Sequence, residues 1–592
     1  METKAQRGHG RVTRQYRSLF ARLSVVALVV SIIGAGLAAH GGGSASASAN
    51  AAGGGYKLAP AMMGGGASQP GANQNATLTM NLGNEVDTAD PQVLSFENDI
   101  ALSSLVFAPL LAVNQHLQVA ANAATSLNVS PDGRTYTFTI RPGMTYSDGQ
   151  PVTAQDYAFA IKRACSPVVA GLYSNILFDI VGCQAWRTAD TSQTSKSTLR
   201  AMEQTVSKAI KALDAHTLRI QLLKPAGYFP FVMATWVTYP SRPDLVQAGG
   251  VNWWKNPKDY IGNGPLKVVS WTPRQQWVLA RNDNYFRGRP GLARIVYKEI
   301  ASPETELLAY RQGQFDVAGV DSTLLPQVLA NPTLKQQLHR QIGANTYYIG
   351  FDNADKPFNN VTVRQAFAYA LNRRQYITQV DNGAGQPAGT FLYPGIAGYQ
   401  TLFQQTYDPR KAKSLLAQAG YPNGQGFPTL QFRYSTNDPA AKQRATFWAA
   451  QFKQILNVNI QPTPTDLTQY QSLLAKQSPE LKIYAYGWVQ DYPHPQDWLS
   501  LVFGNGSPQG PRGWNDPHFN ALVNRADQLP IEEAVPLYQQ ADAYLAKMAP
   551  GAFYIHSESL VVIKPDVKGY VRYPTSPFET VWQPEKIYKT KP

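Results

Sequence analysis

The sequence predicts a mixed α/β body built in more than one lobe, on three observations. Strand-like stretches of alternating apolar and polar residues interleave with helical stretches from Leu78 to the carboxy terminus, without any internal repeat. Residues 76–592 exceed what a single hydrophobic core usually supports, so the chain must divide. Hydrophobic residues at 44% and aromatic residues at 11% are enough to fill the resulting lobes.

The elements follow in chain order. Lys4, Arg7, Arg11, Arg14, Arg17 and Arg22 face a single acidic residue, Glu2, and Leu23 to Ala39 then run without charge. This reads as a signal peptide or an N-terminal membrane anchor over residues 1–39. The basic flank leaves the amino terminus in the cytoplasm and everything after Ala39 outside. Ala45-Ser46-Ala47 and Ala47-Ser48-Ala49 are small-residue cleavage sites, and no cysteine lies near them for a lipoprotein linkage. Residues 40–75 are dominated by Gly, Ala and Ser and read as a flexible tether.

Within the body, Leu78–Leu82 opens as a strand. The stretch Ser130 to Arg163 is the most legible of all. Pro131-Asp132-Gly133 forms a turn, and Tyr136, Phe138 and Ile140 alternate with threonines as a half-buried strand requires. Asp148-Gly149 turns the chain again, and Thr153 with Asp156 three residues on is placed to cap a helix carrying Tyr157, Ala160 and Ile161. Further strands are expected at 218–223, 266–271, 277–281 and 294–300, the third paired with the second, and a helix at 304–312. Residues 358–373 start from a turn and become a helix with Val363, Ala366, Phe367 and Ala370 on its buried face.

The net charge is +14, and the basic amino end accounts for a large part of it. The body lacks a lysine or arginine run, so the surplus points to solubility or wall association and away from nucleic acid. Cys165 and Cys183 are the only cysteines. In an exported chain a pair 18 residues apart reads as a disulfide, and this spacing lacks the close pairing of zinc ligands.

The Ser130–Arg163 stretch closely resembles the signature region of the extracytoplasmic solute-binding proteins of ABC importers, in the family that carries peptides, nickel and some oligosaccharides. The resemblance runs from Leu78 to Tyr588 through IGNGPLKVVSW at Ile261, NDNYF at Asn282, YRQGQFDV at Tyr310, NTYYIGFDN at Asn345, KPFNNVTVRQAFAYALNR at Lys356, YDPRKAKSLLAQAGYP at Tyr407 and GWVQDYPHPQDWL at Gly487. It implies a two-lobed periplasmic-binding-protein fold of the three-subdomain, peptide-binding class, with hinge strands. Lobe I would comprise 76–110, 239–344 and 552–592, an inserted subdomain 111–238, and lobe II 345–551. The crossings would lie near Asn345–Phe351 and Pro550–His556. The resemblance further implies a monomeric receptor that holds a solute between its lobes without changing it. An ABC permease with its ATPase subunits would be the partner, and no cofactor is needed.

Gly487 to Leu499 is the expected core of the site. An apolar strand, Ile483–Tyr486, leads to Trp488 and Asp491, and Pro493 and Pro495 are expected to stop any helix and fix the carboxylate on a stiff turn. A carboxylate screened by Trp488, Tyr492 and Trp498 suits a peptide's α-amino group, and in peptide-binding members the aspartate three residues after Gly-Trp, here Asp491, has that role. Tyr347 and Tyr348 on the crossing strand, Phe96, Glu97 and Asn98 from lobe I, and Trp514 in a Gly-rich segment complete the candidate contacts. Members that grip tripeptide carboxylates carry an arginine two residues before Gly-Trp. Ala485 stands there, which favours longer peptides or another solute.

Other readings need their own residues. Asp491 with Asp497 would be the acid/base pair of a glycoside hydrolase, His494 the ligand of a nickel chelate, and a sensor or wall protein would keep the fold and lack a permease. No HExxH, Gly-x-Ser-x-Gly or Walker A pattern is present.

Overall fold

The structure is a computed structural model that describes residues 56–401, 405–436, 440–570 and 583–591. The expected leader, 1–39, and the first part of the tether lie outside the described residues.

Three sheets organise the chain. The first lines up Thr77–Asn81, Arg294–Lys298, Gln276–Arg281 and Leu266–Thr272, with its first pair parallel and the others antiparallel. The inserted subdomain has its own sheet, in the order Ala124–Val129, Thr135–Ile140, Thr217–Gln221 and Ile210–Ala212. Tyr136, Phe138 and Ile140 point inward as their alternation requires. Behind that sheet the helix Ala154–Ala164 begins with the capping box read from sequence, the Thr153 N–H donating to Asp156 Oδ2 at 2.8 Å. These two sheets share one continuous core.

The largest sheet has eight strands, along the path Val317–Gly319, Gly551–Ile563, Asn345–Phe351, Ile483–Val489, Leu430–Ser435 and Ile460–Thr465. Leu338–Ile342 and Gly385–Pro387 also pair with the long strand Gly551–Ile563. That strand joins the lobes. Its start pairs with Asn345–Phe351 inside lobe II, and its end pairs with Val317–Gly319 and Leu338–Ile342 on the lobe I side. Leu338–Ile342 runs on through Gly343 and Ala344 into Asn345–Phe351, so two neighbouring strands cross together. Lobe II keeps separate cores, one around Phe367, Trp448 and Phe452, another around Phe391, Trp498 and Phe553.

Two readings need correction. Residues 56–75 belong to the folded body: Tyr56 N–H donates to Leu127 O at 2.8 Å, Gly64 N–H to Arg287 O at 2.6 Å and Asn73 N–H to Lys589 O at 2.8 Å. Glycine serves close approach here, since a Cβ on Gly65 would sit 1.8 Å from Arg289 O. The 358–373 stretch holds a helix only at Val361–Tyr369. A second helix, Arg373–Gln379, restarts where Asn372 accepts the Gln375 N–H.

Cys165 and Cys183 are joined in a disulfide, with their Cα atoms 5.0 Å apart. It closes the end of the capped helix onto the short helix Cys183–Arg187.

Candidate functional site

Strand Ile483–Val489 carries the chain from the middle of the lobe II sheet to the face opposed by the inserted subdomain. Gly487 lets it pass beneath the Tyr347 ring, because a Cβ there would meet that ring at 2.4 Å. Past the strand, Gln490 N–H donates to Ala344 O at 3.0 Å, and the Tyr393 hydroxyl donates to Gln490 Oε1 at 2.8 Å. A bend over Asp491–His494 follows. The two prolines do not end the helical course here: a wide, π-type helix, Gln496–Phe503, starts directly after Pro495, because proline at a helix start forfeits no internal hydrogen bond.

Asp497 on that helix turns back to the bend. Its Oδ2 accepts the Asp491 N–H at 3.0 Å and the Trp488 Nε1–H at 3.3 Å. Asp491 is only 6% exposed, and its carboxylate accepts a hydrogen bond from Tyr173 of the inserted subdomain. Tyr173 is held edge-on to Trp236, ring centres 5.0 Å apart. A cavity of about 160 Å³ opens beside Asp491, walled by Phe107, Thr235, Trp236 and Arg287.

The same seam continues on both sides. The His494 ring packs on Phe231 at 5.1 Å and Tyr228 at 6.0 Å, both from the inserted subdomain, and Gly227 N–H donates to Asp527 O at 2.9 Å. Tyr492 is buried in the core that lobe I shares with the insertion. A second cavity, about 520 Å³, spans Leu172 of the insertion and Leu474, Leu481, Tyr484 and Tyr486 of lobe II. Arg512 on its rim is occupied by Asp352 and Asp355, at 2.8 and 2.9 Å. A larger cavity of about 670 Å³ lies within lobe II, between the helices Val361–Tyr369 and Ile531–Met548, and shares no wall with Asp491.

Burial dominates the electrostatics. It pushes the Asp491 carboxyl up to about 7, against the hydrogen bond from Tyr173, and with the help of the Asp491 charge holds Asp497 well above its ordinary value. Asp527 is pushed up to about 7 by burial as well. His494 moves down to about 3 for the same reason and stays neutral. The enclosed His494 ring is set among Phe231, Tyr228 and Tyr538, and no group of three or more potential metal ligands occurs among the described residues.

The structure brings together Asp491, Trp488 and Tyr492, and sets the other candidates elsewhere: Tyr347 lies over Gly487 on the opposite face of the strand pair from Trp488, against the Phe367 and Trp448 core. Tyr348 is fully enclosed by Phe391, Tyr486, Phe503 and Phe553 and does not line the cleft. Trp514 is buried against Phe519 with its Nε1–H on Phe503 O at 3.0 Å. Phe96 is exposed just ahead of the helix Glu97–Val106, while Glu97 and Asn98 line a separate cavity of about 230 Å³ with Met80 and Tyr297. Trp498 packs on Phe391 and Tyr393 inside lobe II. Sequence reasoning missed Tyr173, Tyr228 and Phe231. Tyr173 lies within the Cys165–Cys183 loop, the one local sign that its neighbourhood is held in place.

Comparison with known proteins gives this arrangement its context. Oligopeptide-binding protein OppA of Bacillus subtilis is 27% identical over 498 residues, covering 82% of this chain and 88% of that protein. Heme-binding protein A of Haemophilus influenzae is 30% identical over 473 residues, covering 76% and 81%. The Escherichia coli murein tripeptide-binding protein MppA superposes with a TM-score of 0.70 at 23% identity, covering 88% of this chain and all of that one. Haemophilus influenzae OppA in complex with the peptide RPPGFSPFR gives 0.67 at 19% identity, again over 88% of this chain and all of that one. Residues 118–510 match the model of one family, and the chain belongs to it: the bacterial extracellular solute-binding proteins, family 5.

Proposed function

We propose that this chain is the extracytoplasmic receptor of an ABC importer and captures oligopeptides between its lobes. As a member of a family of binding proteins it is not an enzyme, and the Asp491–Asp497 pair has a binding role. The observation that carries the peptide reading is Asp491 itself. It is a buried carboxylate at the seam between lobe II and the insertion, touched from across the seam by Tyr173. A peptide's ammonium group, a compact cation with three donors, is the partner that such a group favours. Several relatives are named for peptide binding, which supports the same choice.

A guest that contacts both lobes stabilises the closed arrangement by its differential affinity. A permease that distinguishes closed from open then reads occupancy without any bond being made or broken. Ala485 uses its carbonyl to accept the Tyr470 hydroxyl, and Arg512 is already paired with two aspartates. Neither offers a clamp for a carboxy terminus at a fixed distance, so peptides longer than three residues fit this reading best. Export places the body outside the membrane. Among the described residues no helix is long and apolar enough to cross one.

The test is Asp491→Asn. It should weaken binding of a free-amino peptide by roughly 1.5–3 kcal/mol, the scale of a lost charged hydrogen bond, and N-acetylated peptides should bind poorly to the wild type. Equal binding of acetylated and free peptides rejects the role of Asp491. Mass spectrometry of what co-purifies with exported protein should show a ladder of short peptides. A sugar, a metal chelate or a porphyrin in its place rejects the peptide assignment.

A further inference from the structure

Asp497 is a buried acid that simple peptide capture leaves without a duty. It is fully enclosed, its Oδ2 accepts the Asp491 N–H and the Trp488 Nε1–H, the Tyr492 N–H faces the same carboxyl, and its Oδ1 ends without a hydrogen-bond partner. A carboxylate in that condition is costly unless a proton or a cation joins it. The groups facing it and Asp491 supply no cation. Tyr173 comes from the insertion, Tyr393, Tyr486 and Tyr492 come from lobe II, and Asp179 and Asp527 stand further along the seam. His494 on the same bend is neutral, Lys224 is paired with Asp179, and Arg287 across the small cavity is paired with Glu585. Two acids placed together without a cation do not both ionise.

We propose that Asp497 is the second carboxylate of the ammonium seat, and that the pair releases one proton to solvent when a peptide's charged amino group enters. The inference rests on the peptide reading above and names the charge exchange at that same site. The charges balance. Two carboxylates sharing one proton carry one net negative charge, and two ionised carboxylates around one ammonium carry the same. Asp497 is thereby a positioning residue as well, since it holds the Asp491 backbone and the Trp488 ring in place.

The experiment is calorimetric titration of the full exported protein with an unfractionated tryptic peptide mixture and with the same mixture N-acetylated. Each is run in two buffers of different ionisation enthalpy, between about pH 6 and about pH 9. The expected result is net proton release on binding, largest at the acid end near pH 6 and falling as the pH rises through the range where the pair deprotonates by itself. Above the ordinary range of a peptide amino group, about 7.7–8.0, the sign should reverse as neutral amines take up protons. Asp497→Asn should weaken binding of the free mixture, release less than about half as many protons per bound peptide, and show a flatter pH profile. Free peptides that bind with identical heats in both buffers overturn the proton exchange and leave the peptide reading intact, as does undiminished release from a folded Asp497→Asn. If free and acetylated mixtures bind alike, or neither binds, the peptide reading fails and the exchange with it. The wild-type buffer comparison decides the matter even if Asp497→Asn does not fold.

Discussion

Asp542 shows how the buried acids of this protein govern its response to pH. It sits in the core of lobe II, accepts the Phe391 N–H at 3.0 Å, and burial pushes it from 3.8 up to about 7. Asp99 is raised likewise to about 7 in lobe I. A carboxyl whose folded value exceeds its unfolded value favours the native state most where both states are protonated. That contribution is fully present below about pH 4 and is lost by the time the pH has passed about 7. Thermal unfolding at pH 5 is therefore expected at a higher temperature than at pH 8, and Asp542→Asn should narrow the gap. An unchanged gap would show that Asp542 is not the residue responsible. The lowered carboxyls, such as Asp132, Asp190 and Asp214, are fully exposed and add little against this trend, whereas the buried neutral His494 and His556 oppose it below pH 6.5 and are outnumbered by the raised acids. At this scale the sequence singled out Asp491, because a motif of fixed spacing names one position, and the structure sets that residue at the seam. Tyr173 escaped it, since its contact with Asp491 exists only after residues far apart in the chain have folded together.

Among the elements, the loop closed by Cys165–Cys183 joins local covalent structure to the site. It carries the short helix Leu172–Leu177, and with it both Tyr173 on Asp491 and Leu172 on the wall of the 520 Å³ cavity. Closing a loop between cysteines 18 residues apart stabilises the fold by about 3 kcal/mol in the chain-entropy model. The double variant Cys165→Ser/Cys183→Ser should lose stability on that scale in denaturant unfolding and also bind peptide more weakly. If binding is unchanged while stability falls, the loop does not position Tyr173. Strand and turn patterns such as Tyr136–Ile140 and the Thr153 cap were legible because neighbours within a few residues set them. Two element-scale readings failed for physical reasons. Low-complexity glycine at 64–66 looked like tether but packs by backbone against Arg287 and Arg289, and the prolines at 493 and 495 precede a helix instead of ending one.

For the whole molecule, two crossing strands carry the sheet from lobe I into the Asp491 bend's own lobe, and the insertion meets that bend through side chains. Such a seam can part while the sheets stay intact. Small-angle scattering should show a smaller radius of gyration when the free peptide mixture is added, and Asp491→Asn should need more peptide for the same change. Superimposable profiles with and without peptide would reject closure. The two-lobed layout was readable from family motifs spread along the chain. The depth to which lobe II penetrates the insertion was not, because His494 and Tyr492 look like loop residues until Phe231 and Tyr228 are set against them.

The lacing of residues 56–75 has a mechanical outcome. Ala72 bridges to Thr590 and Asn73 bonds to Lys589, so the beginning and the end of the folded body are stitched to each other on lobe I. A pull on residue 56 is therefore borne by that half, and in the proposed closure lobe I is the stator while the jaw bearing Asp491 moves without load.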